Sequence, residues 1–274
     1  MAAPKTAREA QPFPSLEEDD ALLREAVRAA GELALTYFRQ QIIVNTKPDG
    51  SEVSEADLAV NAALKLALLT PRPSYGWLSE ESEDDRERLK SRRVWIIDPI
   101  DGTRAFLRHL PEWTISAALV EDGVPVLGVV FNPAKQEFYH AVRGQGATLN
   151  GQRIHVSSKS TLEGARLIAS GGLFKKRIWK EPWPEVEAEW VNSVAYRIAL
   201  VAAGYADATV SLSGKSEWDI AAAQLILEEA EGVITDHHGE ALAYNRTNPR
   251  FKSIIAAPPK LHDALIERTG RIDL

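Results

Sequence analysis

The stretch VWIIDPIDGTRAF at positions 94–106 leads a run of apolar residues directly into two aspartates, Asp98 and Asp101. The apolar, β-branched run VWII is typical of a buried strand. A buried pair of like charges is unfavourable unless a cation compensates it. The stretch therefore predicts a cation site at the end of a buried strand.

Carboxylates at three other places could contribute to this site: Glu80 in WLSEES, Asp219 in SEWD and Asp57 in SEAD. None of these segments contains histidine, and the chain has no cysteine at all. Oxygen ligands alone are typical of a hard cation such as Mg²⁺. Pro99 stiffens the turn between the two aspartates, so the carbonyl of Ile100 is a further candidate ligand.

Gly102 and Thr103 follow the aspartates and are predicted to begin a short helix, whose backbone N–H groups could bind an anion. Carboxylates that hold a metal beside a phosphate-binding backbone suit phosphate ester hydrolysis. Each feature alone has an ordinary explanation, since Asp-Gly is a common turn and Asp219 suits a helix start. Their joint occurrence is what indicates a phosphatase.

Composition sets the protein class. The 274 residues are 45% hydrophobic with a net charge of −7, which is typical of a soluble protein without a general nucleic-acid-binding role. The absence of cysteine excludes disulfides, thiolate zinc sites, iron–sulfur clusters and a cysteine nucleophile. No apolar run is long enough for a transmembrane helix. We expect a cytoplasmic protein with no membrane partner and a disordered arm over residues 1–14.

Periodicity predicts two halves. In 15–156, helices begin near Ser15 and Ser54, and a meander of antiparallel strands follows, with a hairpin turn at Asn150-Gly151. In 157–274, strands such as RLIAS, DATVSL and FKSIIAA alternate with helices. This order predicts an N-terminal α+β subdomain with most of the metal ligands and a C-terminal α/β subdomain, in a layered α/β sandwich.

At WIIDPIDGT and WDIAAAQLILEEAEG, and in TKPDGSEVSEAD and LSEES, the sequence resembles the inositol monophosphatase superfamily of Mg²⁺-dependent, lithium-sensitive phosphatases. The resemblance implies a five-layered αβαβα sandwich and two or three Mg²⁺ ions. The metal ligands that it implies are Glu80, Asp98, Ile100 (through its carbonyl), Asp101 and Asp219. It further implies that Asp57 and Thr103 activate the attacking water, and that the substrate contacts Gly102, Thr103 and Asp219.

The sequence departs from the family pattern at Ser79, Ala223 and Glu231, where glycine is usual. None of the three is an implied metal ligand, so the departures concern local packing and leave the chemistry unaffected.

Two substrates remain open within the family. Arg104 in RAF, together with SEWD and LSEES, resembles bacterial 3′(2′),5′-bisphosphate nucleotidases of the CysQ type, which indicates 3′-phosphoadenosine 5′-phosphate. Arginine suits a second phosphate through its planar fork, and Lys215 and Arg197 are further candidates. The alternative is inositol-1-phosphate or another sugar phosphate. Against it, Leu212 and Ser213 lie where inositol enzymes carry an acid. The sequence also leaves open whether the protein forms a homodimer.

The segment LFKKRIWKEPWPEVEAEW at 173–190 combines basic residues with three tryptophans. Such a pattern could stack bases or bind single-stranded RNA, which would give a non-enzymatic role. We favour the alternative that the tryptophans anchor the segment to the core, and a nucleic-acid partner is not expected. The six histidines are predicted to lie at the surface, with His237 and His238 in a hairpin turn.

Overall fold

The computed structural model describes residues 14–48, 50–170, 172–175 and 178–274, and the predicted arm lies outside them except for Pro14. Within those ranges, no helix is long and apolar enough to cross a membrane. The helices are α1 (Leu16–Tyr37), α2 (Glu55–Leu69), α3 (Thr103–Leu107), α4 (Val194–Ala202), α5 (Glu217–Glu229) and α6 (Pro259–Thr269), with a short 3-10 helix at Arg86–Lys90.

The strands of the first half are β1 (Val44–Thr46), β2 (Glu52–Ser54), β3 (Gly76–Ser79), β4 (Arg93–Asp101), β5 (Thr114–Glu121), β6 (Val124–Asn132), β7 (Glu137–Val142), β8 (Gly146–Leu149) and β9 (Gln152–Arg153). Those of the second half are β10 (Ala165–Ile168), β11 (Val186–Glu189), β12 (Ala208–Ser211), β13 (Lys215–Ser216), β14 (Val233–Thr235), β15 (Arg250–Phe251) and β16 (Ile254–Ala257).

Helices α1 and α2 both begin at a capping box. The N–H of Ser15 donates to Glu18 Oε2 at 2.9 Å, and the Ser15 hydroxyl accepts from the Glu18 N–H at 3.2 Å. Ser54 and Asp57 make the same reciprocal pair at the start of α2. These pairs satisfy N–H groups that have no partner within the helix. Both predicted helix starts are confirmed, and Asp57 is held at the third residue of α2.

The first sheet contains β3 to β9 in chain order. Strands β4 to β9 form the predicted antiparallel meander, whereas β3 is parallel to β4. Asn150 and Gly151, with φ of 51° and 80°, form the predicted turn between β8 and β9. The sequence did not reveal β3, because four residues are too few for a periodic signal.

The second sheet has the order β11-β10-β12-β16-β14, with β10 parallel to both β11 and β12 and with β16 antiparallel to both its neighbours. One prediction here is wrong. FKSIIAA forms two pieces, since β15 pairs with β13 and only β16 joins the sheet. Because of the break, β15 forms a separate two-stranded ribbon with β13, the strand that directly precedes α5.

Three apolar clusters show how the layers pack. The first joins α1 and α2 to one face of the first sheet, the second places α4 and α5 between the two sheets, and the third joins the second sheet to α6. Neighbouring residues of β4 alternate between the first two clusters, with Trp95 and Ile97 in one and Ile96 in the other, as a strand buried on both faces requires. The order helix, sheet, helix, sheet, helix confirms the αβαβα sandwich.

The predicted subdomain boundary near residue 156 falls between β9 and β10, which belong to different sheets. Helix α5, however, comes from the second half of the chain and packs against strands of the first sheet. The division into two subdomains stays a prediction.

The histidine prediction is wrong in part. His237 is 2% exposed and His262 is 5% exposed, whereas His109, His155 and His238 lie at the surface. Both ring nitrogens of His237 have partners, the Ser253 hydroxyl at 2.7 Å and the Ile272 carbonyl at 3.0 Å. His237 and His238 do lie in a turn, but it does not close a tight hairpin, since the strand that returns to pair with β14 is β16, which begins only at Ile254. A buried histidine is tolerated there because its polar atoms are satisfied.

Candidate active site

A β-bulge in β4 sets the direction of the two aspartates. Asp98 and Asp101 pair with Ser116 and Thr114 of β5, so that two residues of β4 lie opposite one residue of β5. In a regular strand, residues three apart point to opposite faces, and the extra residue restores them to one face. Both carboxylates therefore meet the layer of α4 and α5 between the sheets.

Three candidate metal ligands converge at this point. Oxygen atoms of Glu80, Asp98 and Asp219 all lie within 4.8 Å of one another. Glu80 directly follows β3, Asp98 lies in β4, and Asp219 is the third residue of α5, where its carboxylate accepts from the Ser216 N–H at 2.8 Å. Three elements that are distant in sequence thus deliver carboxylates to one place.

Asp101 is held separately by the start of α4. Its Oδ2 accepts from the Ser193 hydroxyl and from the Ala195 N–H, both at 2.6 Å. The hydroxyl of Ser193 also caps α4 by accepting from the Tyr196 N–H at 3.0 Å. The sequence gave no sign of the contact between Ser193 and Asp101, because the two residues are 92 positions apart.

Electrostatics favour a cation at the cluster. Burial, with the nearby charges of Glu80 and Asp101, raises the pKa of Asp98 well above its usual value. Burial and the charge of Asp101 raise the pKa of Asp219 to about 8. Burial also raises the pKa of Asp101, although its contact with Ser193 opposes this. A divalent cation on these oxygens would compensate the repulsion, so the donor set fits Mg²⁺.

Thr103 and Asp57 form the predicted pair beside the cluster. The Thr103 hydroxyl lies 3.2 Å from Asp57 Oδ1 and 3.1 Å from the carbonyl oxygen of Ile100. The other oxygen of Asp57 accepts from the N–H and hydroxyl of Ser54. Burial raises the pKa of Asp57, opposed by these hydrogen bonds. The capping box thus fixes the carboxylate that faces Thr103.

Gly102 occupies a position that only glycine suits. Its φ is 98°, and a Cβ on it would lie 2.8 Å from the carbonyl oxygen of Glu112. Such a backbone is unfavourable for other residues. Thr103 begins α3 immediately afterwards, as predicted, so the N–H groups of this turn lie beside the carboxylates.

Two neighbouring hollows with lining residues in common lie at these residues. The first, of about 410 Å³, is called the acidic hollow; among its lining residues are Asp98, Thr103 and Arg104. The second, of about 470 Å³, is called the adjacent hollow and is lined in part by Leu173, Val210 and Leu212. The residues that line both are Trp190, Asn192, Val194 and Lys215.

The three residues predicted to contact a second phosphate differ in their exposure and in the hydrogen bonds that they already make. Arg104 is exposed on α3, and Lys215 is partly buried where the two hollows join. Burial lowers the pKa of Lys215. Arg197 is 4% exposed and already donates to the carbonyls of Val191 and Asn192. Arg104 therefore remains a candidate, and Arg197 is committed to the backbone. Lys215 would have to release the bonds that its ammonium makes to the Ser213 and Gly214 carbonyls (3.2 and 3.0 Å) before it could contact a phosphate.

Sequence reasoning missed Lys47. Its ammonium group lies 2.9 Å from Glu80 Oε1 and 2.6 Å from Glu81 Oε1. Burial raises the pKa of Glu81 to about 7, although the contact with Lys47 opposes this. The turn-rich segment TKPDG gave no signal for this contact, because the pairing spans more than thirty residues of chain.

The tryptophans of the segment 173–190 have two different environments. Trp179 and Trp183 are half-buried, pack edge to face at 5.0 Å and contact the cluster beneath α6, which agrees with the anchoring interpretation. Trp190 is 53% exposed. Of the basic run, Lys175 is exposed, while Lys176 and Arg177 lie outside the described residues.

Comparison with known proteins decides the family. The model of the inositol monophosphatase family matches residues 15–273. The chain belongs to the inositol monophosphatase family. Relatives of the chain are named as phosphatases with different substrates, so membership indicates a phosphatase without identifying one substrate.

Three relatives within the family illustrate this range. A histidinol-phosphatase of Mycobacterium tuberculosis is 34% identical over 92% of this chain and 98% of its own. The 3′(2′),5′-bisphosphate nucleotidase CysQ of Aggregatibacter actinomycetemcomitans is 31% identical over 83% of this chain and 89% of its own. The solved structure of an IMPase from Thermotoga maritima has a TM-score of 0.78 and 31% identity, over 92% of this chain and 95% of its own.

Proposed function

We propose that the chain is a Mg²⁺-dependent phosphomonoesterase that uses two or three ions. The observation that carries the proposal is the convergence of Glu80, Asp98 and Asp219 within 4.8 Å, beside the Thr103–Asp57 pair. With the Ile100 carbonyl and Asp101, these carboxylates would hold the metal. Bound Mg²⁺ would neutralise phosphate charge and lower the pKa of a bound water.

Thr103 would orient the attacking water. A hydroxyl has one proton, so when Thr103 donates it to Asp57, its lone pairs can accept a hydrogen bond from water. Ser54 holds the Asp57 carboxylate in place by two hydrogen bonds. The direction in which Thr103 donates its proton is therefore fixed as well. The N–H groups at the Gly102–Thr103 turn would hold the phosphate oxygens. The water would form a new P–O bond and pass a proton towards the Thr103–Asp57 pair, while the ester P–O bond breaks and the leaving alkoxide takes up a proton to become the alcohol.

As the substrate we propose 3′-phosphoadenosine 5′-phosphate. The adjacent hollow supports it, because it shares lining residues with the acidic hollow and an inositol phosphate would use only part of the combined space. Arg104 and Lys215 can supply positive charge for a second phosphate. The alternative is inositol-1-phosphate or another sugar phosphate, a class that the 31% identical IMPase structure keeps in consideration.

A substrate panel with Mg²⁺ tests this proposal. It compares 3′-phosphoadenosine 5′-phosphate, adenosine 3′-phosphate, inositol-1-phosphate, fructose-1,6-bisphosphate and histidinol phosphate. We expect the highest kcat/KM for the bisphosphate nucleotide. A higher value for inositol-1-phosphate would favour the alternative, and no turnover of any substrate would contradict the phosphatase proposal.

Arg104→Ala tests the contact with the second phosphate. Adenosine 3′-phosphate differs from the proposed substrate only by lacking the 5′-phosphate, so the pair isolates this contact. We expect kcat/KM to fall about tenfold for the bisphosphate and to stay nearly constant for the monophosphate, since the contact is charge-assisted but exposed. Arg104→Lys should restore part of the loss. Equal losses for both substrates would remove Arg104 from substrate selection.

A further inference from the structure

Trp190 differs from the other tryptophans of the chain in its exposure. Its side chain is 53% exposed, whereas Trp77, Trp95 and Trp113 are buried, and Trp179, Trp183 and Trp218 are half-buried. A single exposed apolar residue is common at a protein surface, so the position of Trp190 is what makes it a candidate for binding. Trp190 lines both the acidic hollow and the adjacent hollow.

Arg197 holds Trp190 from beneath. The guanidinium carbon lies 4.0 Å from the centroid of the indole ring, which is a cation–π contact. The arginine itself is 4% exposed and is fixed by hydrogen bonds to the carbonyls of Val191 (2.5 Å) and Asn192 (3.2 Å). These are the two residues that follow Trp190, so the support and the ring are fixed to the same short segment. A ring held in this way loses little side-chain entropy when a ligand binds.

The surroundings of Trp190 suit a planar group. On the acidic side, the hollow contains Thr103 and Asp98, where the phosphate ester would react. On the other side, Leu173 and Leu212 contribute apolar surface. A leaving group that extends from the phosphate into the adjacent hollow therefore passes the indole.

We propose that Trp190 is a stacking platform for a planar heteroaromatic ring in the leaving group of the substrate. The inference rests on the proposed phosphatase function and adds the substrate class: a phosphate monoester that carries such a ring. Adenine and imidazole share this chemistry. Base–aromatic stacking depends on the presence of a π face and not on the identity of the base, so the experiment must distinguish the two.

The test compares substrates with and without a ring. In Trp190→Ala, kcat/KM should fall about tenfold or more for the ring substrate that the unaltered protein prefers, 3′-phosphoadenosine 5′-phosphate or histidinol phosphate, mainly through KM. Inositol-1-phosphate, which has no aromatic ring, should change less than about twofold. Trp190→Phe should retain most of the ring preference, and Trp190→Leu should not.

The matched control is Tyr205→Ala. Tyr205 is an aromatic residue of similar exposure (57%) that lines neither hollow, so its removal should leave the ratio between substrates unchanged. Equilibrium binding gives a second measurement: adenosine 5′-phosphate should quench the indole fluorescence of the unaltered protein, and this quenching should be lost in Trp190→Phe.

The outcomes separate the two proposals. If Trp190→Ala changes kcat/KM equally for substrates with and without a ring, or for neither, the stacking proposal is wrong while the phosphatase proposal stands. If the unaltered protein hydrolyses none of the substrates, the phosphatase proposal fails, and loss of nucleotide quenching in Trp190→Phe would still support the platform. Undiminished quenching in that variant would overturn it.

Discussion

At the scale of single residues, the candidate site concentrates acids that are partly or almost fully buried. Asp98 and Asp101 are almost fully buried, and Glu80 and Asp219 are partly buried beside them. Burial disfavours the charged form of Asp98, Asp101 and Asp219, and neighbouring negative charges disfavour it further at Asp98 and Asp219. The protein without metal therefore carries an electrostatic strain that a cation would relieve.

Asp219 makes this strain measurable. Its pKa is raised from 3.8 to about 8, so the folded protein binds this proton more tightly than the unfolded chain does. The resulting stabilisation is complete below the unfolded pKa and is lost as the pH rises through the folded pKa. In EDTA, we expect the melting temperature to fall as the pH rises from 3.8 to about 8.

Asp219→Asn should flatten this dependence, measured by thermal unfolding across the same pH range in EDTA. Asp263→Asn, which changes an exposed acid of α6, serves as the control and should keep the dependence of the unaltered protein. An undiminished slope in Asp219→Asn would show that this carboxyl does not carry the effect.

Thr103→Ala should lower kcat and kcat/KM together, by about a hundredfold, and change KM little. The reason is that the hydroxyl is proposed to orient water for attack and not to bind the substrate. Thr103→Ser keeps the hydroxyl and should retain most of the activity. Steady-state kinetics on the best substrate provide the measurement. A raised KM with unchanged kcat would instead identify Thr103 as a simple binding residue.

At the scale of elements, helix starts hold most of the candidate groups. Asp57 is in the capping box of α2, Asp219 is in that of α5, and Asp101 contacts the first turn of α4. A helix start offers N–H groups without intrahelical partners and a favourable dipole for an anion. The same interactions that begin these helices therefore also orient the carboxylates.

Ser193→Ala tests this coupling at α4. Loss of the cap should destabilise the protein by about 1 kcal/mol. The variant also loses the hydroxyl that donates to Asp101. Because a hydrogen bond to a charged group is removed, the Mg²⁺ concentration for half-maximal activity should rise about tenfold. Both quantities are measured on the same preparation, by thermal unfolding and by Mg²⁺ titration of activity.

The control for this prediction is Ser15→Ala, which removes the cap of α1, a helix that contributes none of the candidate site residues. It should lose similar stability and keep the Mg²⁺ requirement. Ser193→Thr retains a hydroxyl and should have the same Mg²⁺ requirement as the unaltered protein. If both alanine variants shift the Mg²⁺ requirement equally, Ser193 has only a structural role.

At the scale of the whole molecule, the site joins the two halves of the chain. Glu80, Asp98 and Asp101 come from residues before 156, whereas Ser193 and Asp219 come from residues after it. A metal bound by both halves would link β4 to the layer of α4 and α5. Binding to the folded state alone stabilises a protein by about 2.7 kcal/mol at a ligand concentration of a hundred times Kd.

We therefore expect saturating Mg²⁺ to raise the melting temperature by about 5–10 °C relative to EDTA. Asp98→Asn should lose most of this increase and lower turnover by orders of magnitude. It should also raise the melting temperature in EDTA, since it removes a buried like charge. Differential scanning calorimetry with and without Mg²⁺ provides the measurement. Full turnover in excess EDTA would contradict the metal requirement.

The sequence by itself determined the local features and the type of chemistry. The capping boxes at Ser15 and Ser54, the buried strand that carries Asp98 and the glycine turn at Gly102 each depend on residues within a few positions of one another. Short-range hydrogen bonds and side-chain alternation leave a pattern that can be recognised in one chain. The acids were visible one by one, because each lies at the end of an apolar run or at the start of a helix.

Only the tertiary structure decided which residues meet. The contacts of Lys47 with Glu80, of Ser193 with Asp101 and of Arg197 with Trp190 depend on how the sheets and helices pack. Lys47–Glu80 and Ser193–Asp101 also join distant parts of the chain. The pattern that marks a helix or strand does not specify which residues of other elements its side chains will contact. Burial decided the rest, since it made His237 a core residue and left Trp190 exposed at the site.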